Sequence, residues 1–409
     1  MSLAILNNHK SAINLLHILQ SSGKQARFIG GCVRDAYLHK ECSDIDIATT
    51  LLPNETLAIM HSYNIHTLKT GIDFGTITAI FDKQAFEITT LRRDIYCNGR
   101  HAKVIFTDSW SEDAARRDFT INAMSYSLSN QIHDYFNGID DLTHGIIRFV
   151  GDPHNRIVED YLRILRLFRF FAYYGKKPLA SSILLACKEL AKGINILSGE
   201  RIQTEMYKIL QAPTFDNVLL LMHNTNILSY LINYFNIDFN YLKFLLRIEY
   251  KFNISINPIR RLAALLCQES NQTVKELVIR WKLSSKDKRH LCYLTKPQIY
   301  ITGEETTKDL YKILRLADKN YVYDLVILQW AKILQKNNYI NEQKLQDTLN
   351  IINNWHPISP PITGQDLINI GIPPGNELGK LLKEAINFWE ENDYRPTKNE
   401  IIHYITSKI

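Results

Sequence analysis

Asp44 and Asp46 stand one residue apart in SDIDIATT, behind the Gly30-Gly31 doublet of RFIGGCVRD. Alternate residues of a strand share a face, so on a strand both carboxylates project from the same side. Such a pair suits a hard divalent cation, which takes oxygen ligands and keeps water and substrate phosphate in its shell. Taken alone, D-x-D fits two surface acids at a strand end equally well. The residues before it narrow the reading toward phosphate chemistry. Phe28-Ile29 ends a short strand, Gly30 and Gly31 allow a tight turn and close backbone approach, and Val33 to His39 begins a helix whose first N–H groups attract anions. Arg34 lies one turn into that helix, where a guanidinium can fork onto phosphate oxygens.

A second constellation lies in GDPHNRIVEDYLRILRLFRF. The apolar spacing predicts one helix over 156–174, on which Asp160 and Arg163 are i,i+3 neighbours that set an acceptor beside a fork of donors. Arg166 and Arg169 continue the stripe at spacing three. An Arg-rich solvated face paired with Glu159 and Asp160 would have the same spacing. In LSGERIQTEMYKIL, Ser198 reads as an N-cap, and Glu200, Arg201 and Glu205 read as ion-pairing scaffold for the preceding helix.

Strand, Gly-Gly turn, helix with Arg34 and then D-x-D resembles the nucleotidyltransferase superfamily related to DNA polymerase β. More narrowly the chain resembles the class II tRNA nucleotidyltransferase and poly(A) polymerase family. The likeness runs on through GIDFGTITAIF, AFEITTLRRD, NGRHAKVIFTDSW, ARRDFTINAM, the Asp160–Arg163 segment and LSGERIQTEMYKIL, over about the first half of the chain. It implies Asp44 and Asp46 as catalytic ligands of two Mg2+ ions, with Glu87 of FEITT a candidate third ligand that depends on strand register. It implies Arg117 as a nucleotide contact and Asp118 as a carboxylate near the ribose 2′-hydroxyl, with Gly30, Gly31, Arg34, Arg166 and Arg169 on the nucleotide and Arg116 open between a contact and a structural ion pair. Asp160 and Arg163 would read the Watson–Crick edge of C and A and reject U and G, whose donors and acceptors are reversed. The reaction implied is untemplated addition of C, C and A to the 3′ end of tRNA from CTP and ATP. Poly(A) polymerase, CC-only or A-only activity, and an inactive RNA-end or nucleotide-binding protein are the alternatives. The full-length LRRDIYCNGRHAKVIF favours complete CCA addition, and Phe74 stands where relatives often have His.

These residues need a frame to hold them. Strand patterns at Arg27–Ile29, Asp44–Ala48, Thr76–Phe81, Phe86–Thr90 and Val104–Phe106 alternate with helices, including one over 3–21, and predict an α/β nucleotidyltransferase head over residues 1–145. Helical periodicity then predicts an all-α remainder: a neck over 146–212 that reads the base, a body over 213–356 that binds tRNA, and a tail over 357–409. Asn257-Pro258, Lys296-Pro297 and Pro357-Ile358-Ser359-Pro360-Pro361 punctuate it, and LINYFNIDFNYLKF reads as helix. With 409 residues, 45% hydrophobic and 22% charged, the chain is an ordinary globular composition, and a net charge of +6 suits a polyanionic partner. No apolar run is long enough to span a membrane, and the start of the chain shows no signal-peptide pattern. Six cysteines without a C-x-x-C pair point to reduced thiols and a cytoplasmic protein, not a zinc site. His133-Asp134 reads as structural.

Overall fold

The computed structural model describes residues 3–42, 44–98, 101–232, 237–357, 359–392 and 394–408. Ser43, Gly99, Arg100, Ile358 and the Asn233–Asn236 part of LINYFNIDFNYLKF, all within quoted motifs, lie outside them. The chain forms two compact units, one of Met1–Asn236 with Glu269–Ser284, the other of Ile237–Gln268 with Ser285–Ile409.

The first unit opens with helices α1 (Ala4–Asn7) and α2 (Lys10–Gln20), so the helix expected over 3–21 is interrupted at Asn8-His9. Strands β1 (Ala26–Ile29), β2 (Asp46–Thr49), β3 (His66–Gly71), β4 (Thr76–Phe81), β5 (Gln84–Thr90), β8 (Met124–Tyr126) and β9 (Ile132–Asp134) make one mixed sheet, ordered β3-β4-β5-β2-β1-β8-β9. β6 (Arg92–Asn98) and β7 (His101–Phe106) form a separate two-stranded ribbon. β2 runs antiparallel to β1 and parallel to β5. The end of β1 and the start of β2 therefore meet at one end of these two central strands, with the middle of β5, at Glu87, beside them. Leu15, Leu16 and Leu19 of α2 bury against a core that holds Phe28, Ile47 and Ile88, as amphipathic spacing requires.

Helices α3 (Gly31–Tyr37), α4 (Pro53–Ser62), α5 (Trp110–Ala115) and α6 (Gly138–His144) lie between or after the strands. Then follow α7 (Pro153–Glu159), α8 (Leu162–Tyr174), α9 (Ser181–Leu190), α10 (Gly199–Gln211) and α11 (Phe215–Asn224). The single helix expected over 156–174 is thus two. Asp160 takes φ −158° and ψ 108°, and its carboxylate accepts the Leu162 N–H at 3.1 Å. An acceptor beside orphan amides favours restarting a helix over continuing it.

Beyond these stand α12 (Phe239–Lys251), α13 (Pro258–Leu265), α14 (Asn271–Arg280), α15 (Ser285–Thr295), α16 (Thr307–Leu316), α17 (Lys319–Asn337), α18 (Glu342–Asn354), α19 (Gly364–Asn369), α20 (Asn376–Glu391) and α21 (Lys398–Thr406). Only α14 belongs to the first unit. There the fully buried Trp281 donates its indole N–H to the Leu231 carbonyl at 3.2 Å, and Arg280 donates to the carbonyls of Leu197 and Ile194. A Cβ on Gly199 would lie 2.2 Å from the Arg280 carbonyl oxygen, so only glycine lets α10 begin against this segment.

In the second unit, Arg260 of α13 is 1% exposed and forks onto Glu249 of α12 and Asp324 of α17, at 2.6 and 2.5 Å. Arg261 joins Glu249 at 2.7 Å, which balances charge where no water can. α19, α20 and α21 carry their own core around Leu367, Trp389 and Ile401. No described helix is long and apolar enough to cross a membrane.

Candidate active site

Asp46 is the first residue of β2, and Asp44 lies before the strand, in a bend, not on it as expected. Sheet pairing explains the difference, because ladder partners begin at Asp46 on the β5 side and at Ile47 on the β1 side. In the parallel pairing Asp46 stands opposite Glu87, and residues aligned across neighbouring strands share a face. Burial lifts the Asp46 carboxyl above the usual range, and the charges of Glu87 and Asp44 add to the lift against Arg117. Among the described residues no three metal-ligating side chains close on a point. Two carboxylates, one half-buried and one exposed, with a third aligned beside them, fit a divalent ion that draws its remaining ligands from water and substrate phosphate.

At the same end of the central strands Gly30 adopts φ 71°, and its N–H donates to the Met124 carbonyl at 3.1 Å. A Cβ there would come within 3.1 Å of Arg117 Nη1. The positive φ is what calls for glycine, and a side chain there would also push the Arg117 guanidinium aside by a few tenths of an ångström.

A cavity of about 440 Å³ opens here. Gly30, Gly31, Arg34, Asp46, Arg117, Asp118, Asp160, Arg163 and Arg166 all line it, so nine residues singled out from the sequence converge. Asp44, Glu87 and Arg169 are not in the lining, whereas Arg116, which the sequence left open between a contact and an ion pair, is, together with Asn122, Leu162, Phe170 and Arg201, none of them predicted as nucleotide contacts. Six guanidiniums, of Arg34, Arg116, Arg117, Arg163, Arg166 and Arg201, face three carboxylates, of Asp46, Asp118 and Asp160. That excess suits a ligand bearing several negative charges.

The arginines are held by acids. Asp113, buried and pushed below the usual carboxylate range by Arg116 and Arg117 against its burial, takes Arg116 at 2.8 Å and Arg117 at 3.1 Å. Arg116 is therefore both an ion-pair partner and part of the wall. Arg34 gives its fork to Asp35, at 2.9 and 2.8 Å, and a further N–H to Asn122 at 2.6 Å, under the Tyr174 ring. The fork expected to meet phosphate is thus committed to protein, and Arg34 presents only its remaining N–H groups. Arg166 reaches Asp118 at 2.5 Å, and Asp118 also accepts from Asn122 and the Phe119 N–H. Arg169 pairs with the buried Glu205 at 2.8 Å and stacks on Phe170.

Asp160 and Arg163 are not side-by-side groups on one helix face. The Asp160 carboxylate is paired with Arg201 of α10 at 2.6 Å, while Arg163 donates to the Arg156 carbonyl at 2.8 Å and pairs with Glu159. LSGERIQTEMYKIL therefore buttresses this segment through Arg201 and Glu205, as expected, and Arg201 in addition reaches the cavity. No spacing rule reports such long-range partners. Asp134 accepts three backbone N–H groups, of Phe136, Gly138 and Ile139, which fills its carboxylate with a turn.

Residues 26–148 match a family described as Poly A polymerase head domain, and residues 179–237 one described as probable RNA and SrmB-binding site of polymerase A. The chain is 33% identical over 400 residues to the mitochondrial CCA tRNA nucleotidyltransferase 1 of Danio rerio, spanning 95% of this chain and 89% of that protein. It is 32% identical over 384 residues to the CCA-adding enzyme of Streptococcus sanguinis, spanning 92% and 91%. In fold it is similar to the Bacillus stearothermophilus CCA-adding enzyme, solved in complex with CTP, with a TM-score of 0.76 at 24% identity over 98% of this chain and 97% of that one. Aspartates at the start of a central strand, an arginine-walled cavity and relatives alike over about nine tenths of both chains agree: the chain belongs to the CCA-adding family of class II tRNA nucleotidyltransferases.

Proposed function

We propose that this enzyme adds C, C and A to the 3′ end of tRNA from CTP and ATP, without a nucleic-acid template. The observation that carries the proposal is the single cavity in which Asp46, Arg117, Asp160 and Arg163 meet, so that phosphate-side and base-side groups bound one nucleotide-sized space. Asp44 and Asp46, with Glu87 as third ligand, are the residues that would hold Mg2+. When bound, the metal lowers the pKa of the attacking 3′-hydroxyl and neutralises the leaving pyrophosphate. Arg117 and Arg166 hold the triphosphate, and Arg34 and Arg169 brace the wall through Asp35 and Glu205. Asp118 is the carboxylate assigned to the ribose 2′-hydroxyl, which would join the donors of Arg166, Asn122 and the Phe119 N–H already on it; a deoxy sugar would forgo that hydrogen bond.

Asp160 accepts from the exocyclic amine of C or A, and Arg163 donates to the adjoining ring edge. Uracil and guanine turn a carbonyl toward the carboxylate, a mismatch of ~1–3 kcal/mol for each misplaced contact. We assign the head to residues 1–145, base reading to 146–212, tRNA binding to 213–356 and the tail to 357–409. Net charge of +6 supports a polyanionic partner. A cytoplasmic setting fits the free thiols of Cys32, Cys42, Cys187, Cys267 and Cys292. An inactive descendant should have lost one of Asp44, Asp46, Asp160 and Arg163, and all four are present.

Incubating the purified protein with a tRNA lacking its 3′ CCA, and with each nucleotide separately and in pairs, tests the proposal. Two C additions followed by a single A are expected. ATP added alone in long runs would make it a poly(A) polymerase, and arrest after CC, or A addition only onto a CC end, would make it a partial enzyme. Nucleotide binding without incorporation would make it a binding protein.

A further inference from the structure

Arg156 of α7 is absent from the cavity lining, yet its side chain is only 11% exposed and it touches both segments that shape the wall. Its Nη2 donates to the carbonyl oxygens of Arg116 and Arg117, each at 2.5 Å. Its Nη1 pairs with Glu159 at 2.7 Å. The same Glu159 oxygen takes Arg163, and Arg163 donates back to the Arg156 carbonyl at 2.8 Å. Arg156 thus grips the segment of Arg117 through its side chain and the segment of Arg163 through both side chain and backbone.

The chemistry of the grip is specific to a guanidinium. Arg116 is the C-cap of α5, where the last carbonyls have no intrahelical partner and a cation complements the helix end. A planar fork can serve two carbonyls from one nitrogen and a carboxylate from the other. An ammonium is a point charge and cannot span both.

We propose that Arg156 is a positioning residue that keeps Arg117, on the phosphate side, in register with Arg163, on the base side, so that base recognition and triphosphate placement are set by one rigid unit. This rests on the nucleotide-adding function proposed above. Arg156 itself touches no nucleotide; it acts through the backbone of Arg116 and Arg117 and through Glu159.

The test compares the whole parent protein with Arg156→Lys and Arg156→Gln, by thermal unfolding and by kinetics of CTP and UTP addition to a tRNA lacking its CCA. A folded variant should lose about ten- to a hundredfold in kcat/KM for CTP, with KM rising and kcat falling together, because both ends of the nucleotide are misplaced. Its preference for CTP over UTP should fall as well, and lysine should not restore it. A merely structural role predicts a lower melting temperature with the CTP:UTP ratio and the kinetics per folded molecule unchanged, which would overturn the proposal. If neither variant folds, Arg156 is scaffold and the positioning role is lost. A parent that adds no CTP removes the functional reading and this inference together, whereas an active parent with indifferent variants removes only the latter.

Discussion

Arg201 places its Nη2 2.6 Å from Oδ2 of Asp160, joining α10 to the break between α7 and α8. The carboxylate assigned to the exocyclic amine is therefore already charge-paired, and its second oxygen accepts the Leu162 N–H. Arg201 fixes the direction in which Asp160 can accept. Asp160→Ala should lower the CTP:UTP ratio by about ten- to a hundredfold while damaging turnover less, since it removes both the bond to the amine and the repulsion against the uracil carbonyl. Arg201→Ala should move the ratio in the same direction by less. Competition assays with the two nucleotides measure this, and a parental ratio in Asp160→Ala would show that Asp160 does not read the base.

Removing a metal-holding carboxylate is predicted to act on chemistry alone. Asp44→Ala or Asp46→Ala should reduce CTP and ATP incorporation on the order of a thousandfold, with tRNA affinity nearly unchanged, because transition-state stabilisation is lost and the charged RNA contacts are not. Filter binding beside incorporation kinetics separates the two. Sustained turnover in either variant would refute the assignment.

The Asp118–Arg166 pair has a pH signature. Burial alone would lift the Asp118 carboxyl, but the Arg166 charge, with donors from Asn122, Arg166 and the Phe119 N–H, holds it below the usual range. A carboxyl depressed in the folded state stabilises the fold above its unfolded pKa, and the contribution is lost as pH falls through the folded value. Asp118→Asn should therefore be less stable than the parent at neutral pH by about 1–2 kcal/mol, discounted because Arg166 is 31% exposed and keeps Glu205 beside it, and the gap should close in acid. Urea unfolding at a series of pH values checks it; a constant gap would contradict the pairing.

Affinity for tRNA should fall linearly with salt on logarithmic axes, the signature of cations displaced from phosphates. A flat response would count against a backbone-reading surface.

Truncation after residue 236 should not yield a clean head-and-neck fragment, because Trp281 and Arg280 belong to that unit. The 1–236 fragment should melt well below the first unit of the full chain in calorimetry or hydrogen exchange.

Much of the site was legible because its residues are local: a Gly-Gly turn, a D-x-D pair and an arginine stripe announce themselves at short spacing. β4 keeps its expected bounds, with the alternation holding over Thr76–Ala79, and α10 buries its apolar stripe of Ile202, Met206, Ile209 and Leu210. β8 did not announce itself, since all three of its residues are buried and no alternation survives. The stop at Asp160 was hidden by helical periodicity that runs on across it, although an Asp before Leu162 is itself a helix-start signal. Partners such as Asp113, Arg156 and Arg201 meet their targets through tertiary folding, where pattern carries no address.

The return of residues 269–284 to the first unit orders events on the ribosome. When residue 236 has emerged the catalytic unit still lacks its fully buried tryptophan and the carbonyl grip of Arg280. It waits through the synthesis of α12 and α13, which belong elsewhere, before α14 arrives to complete it. Nascent chains stalled between residues 236 and 269 thus carry every residue that lines the cavity and an unfinished fold.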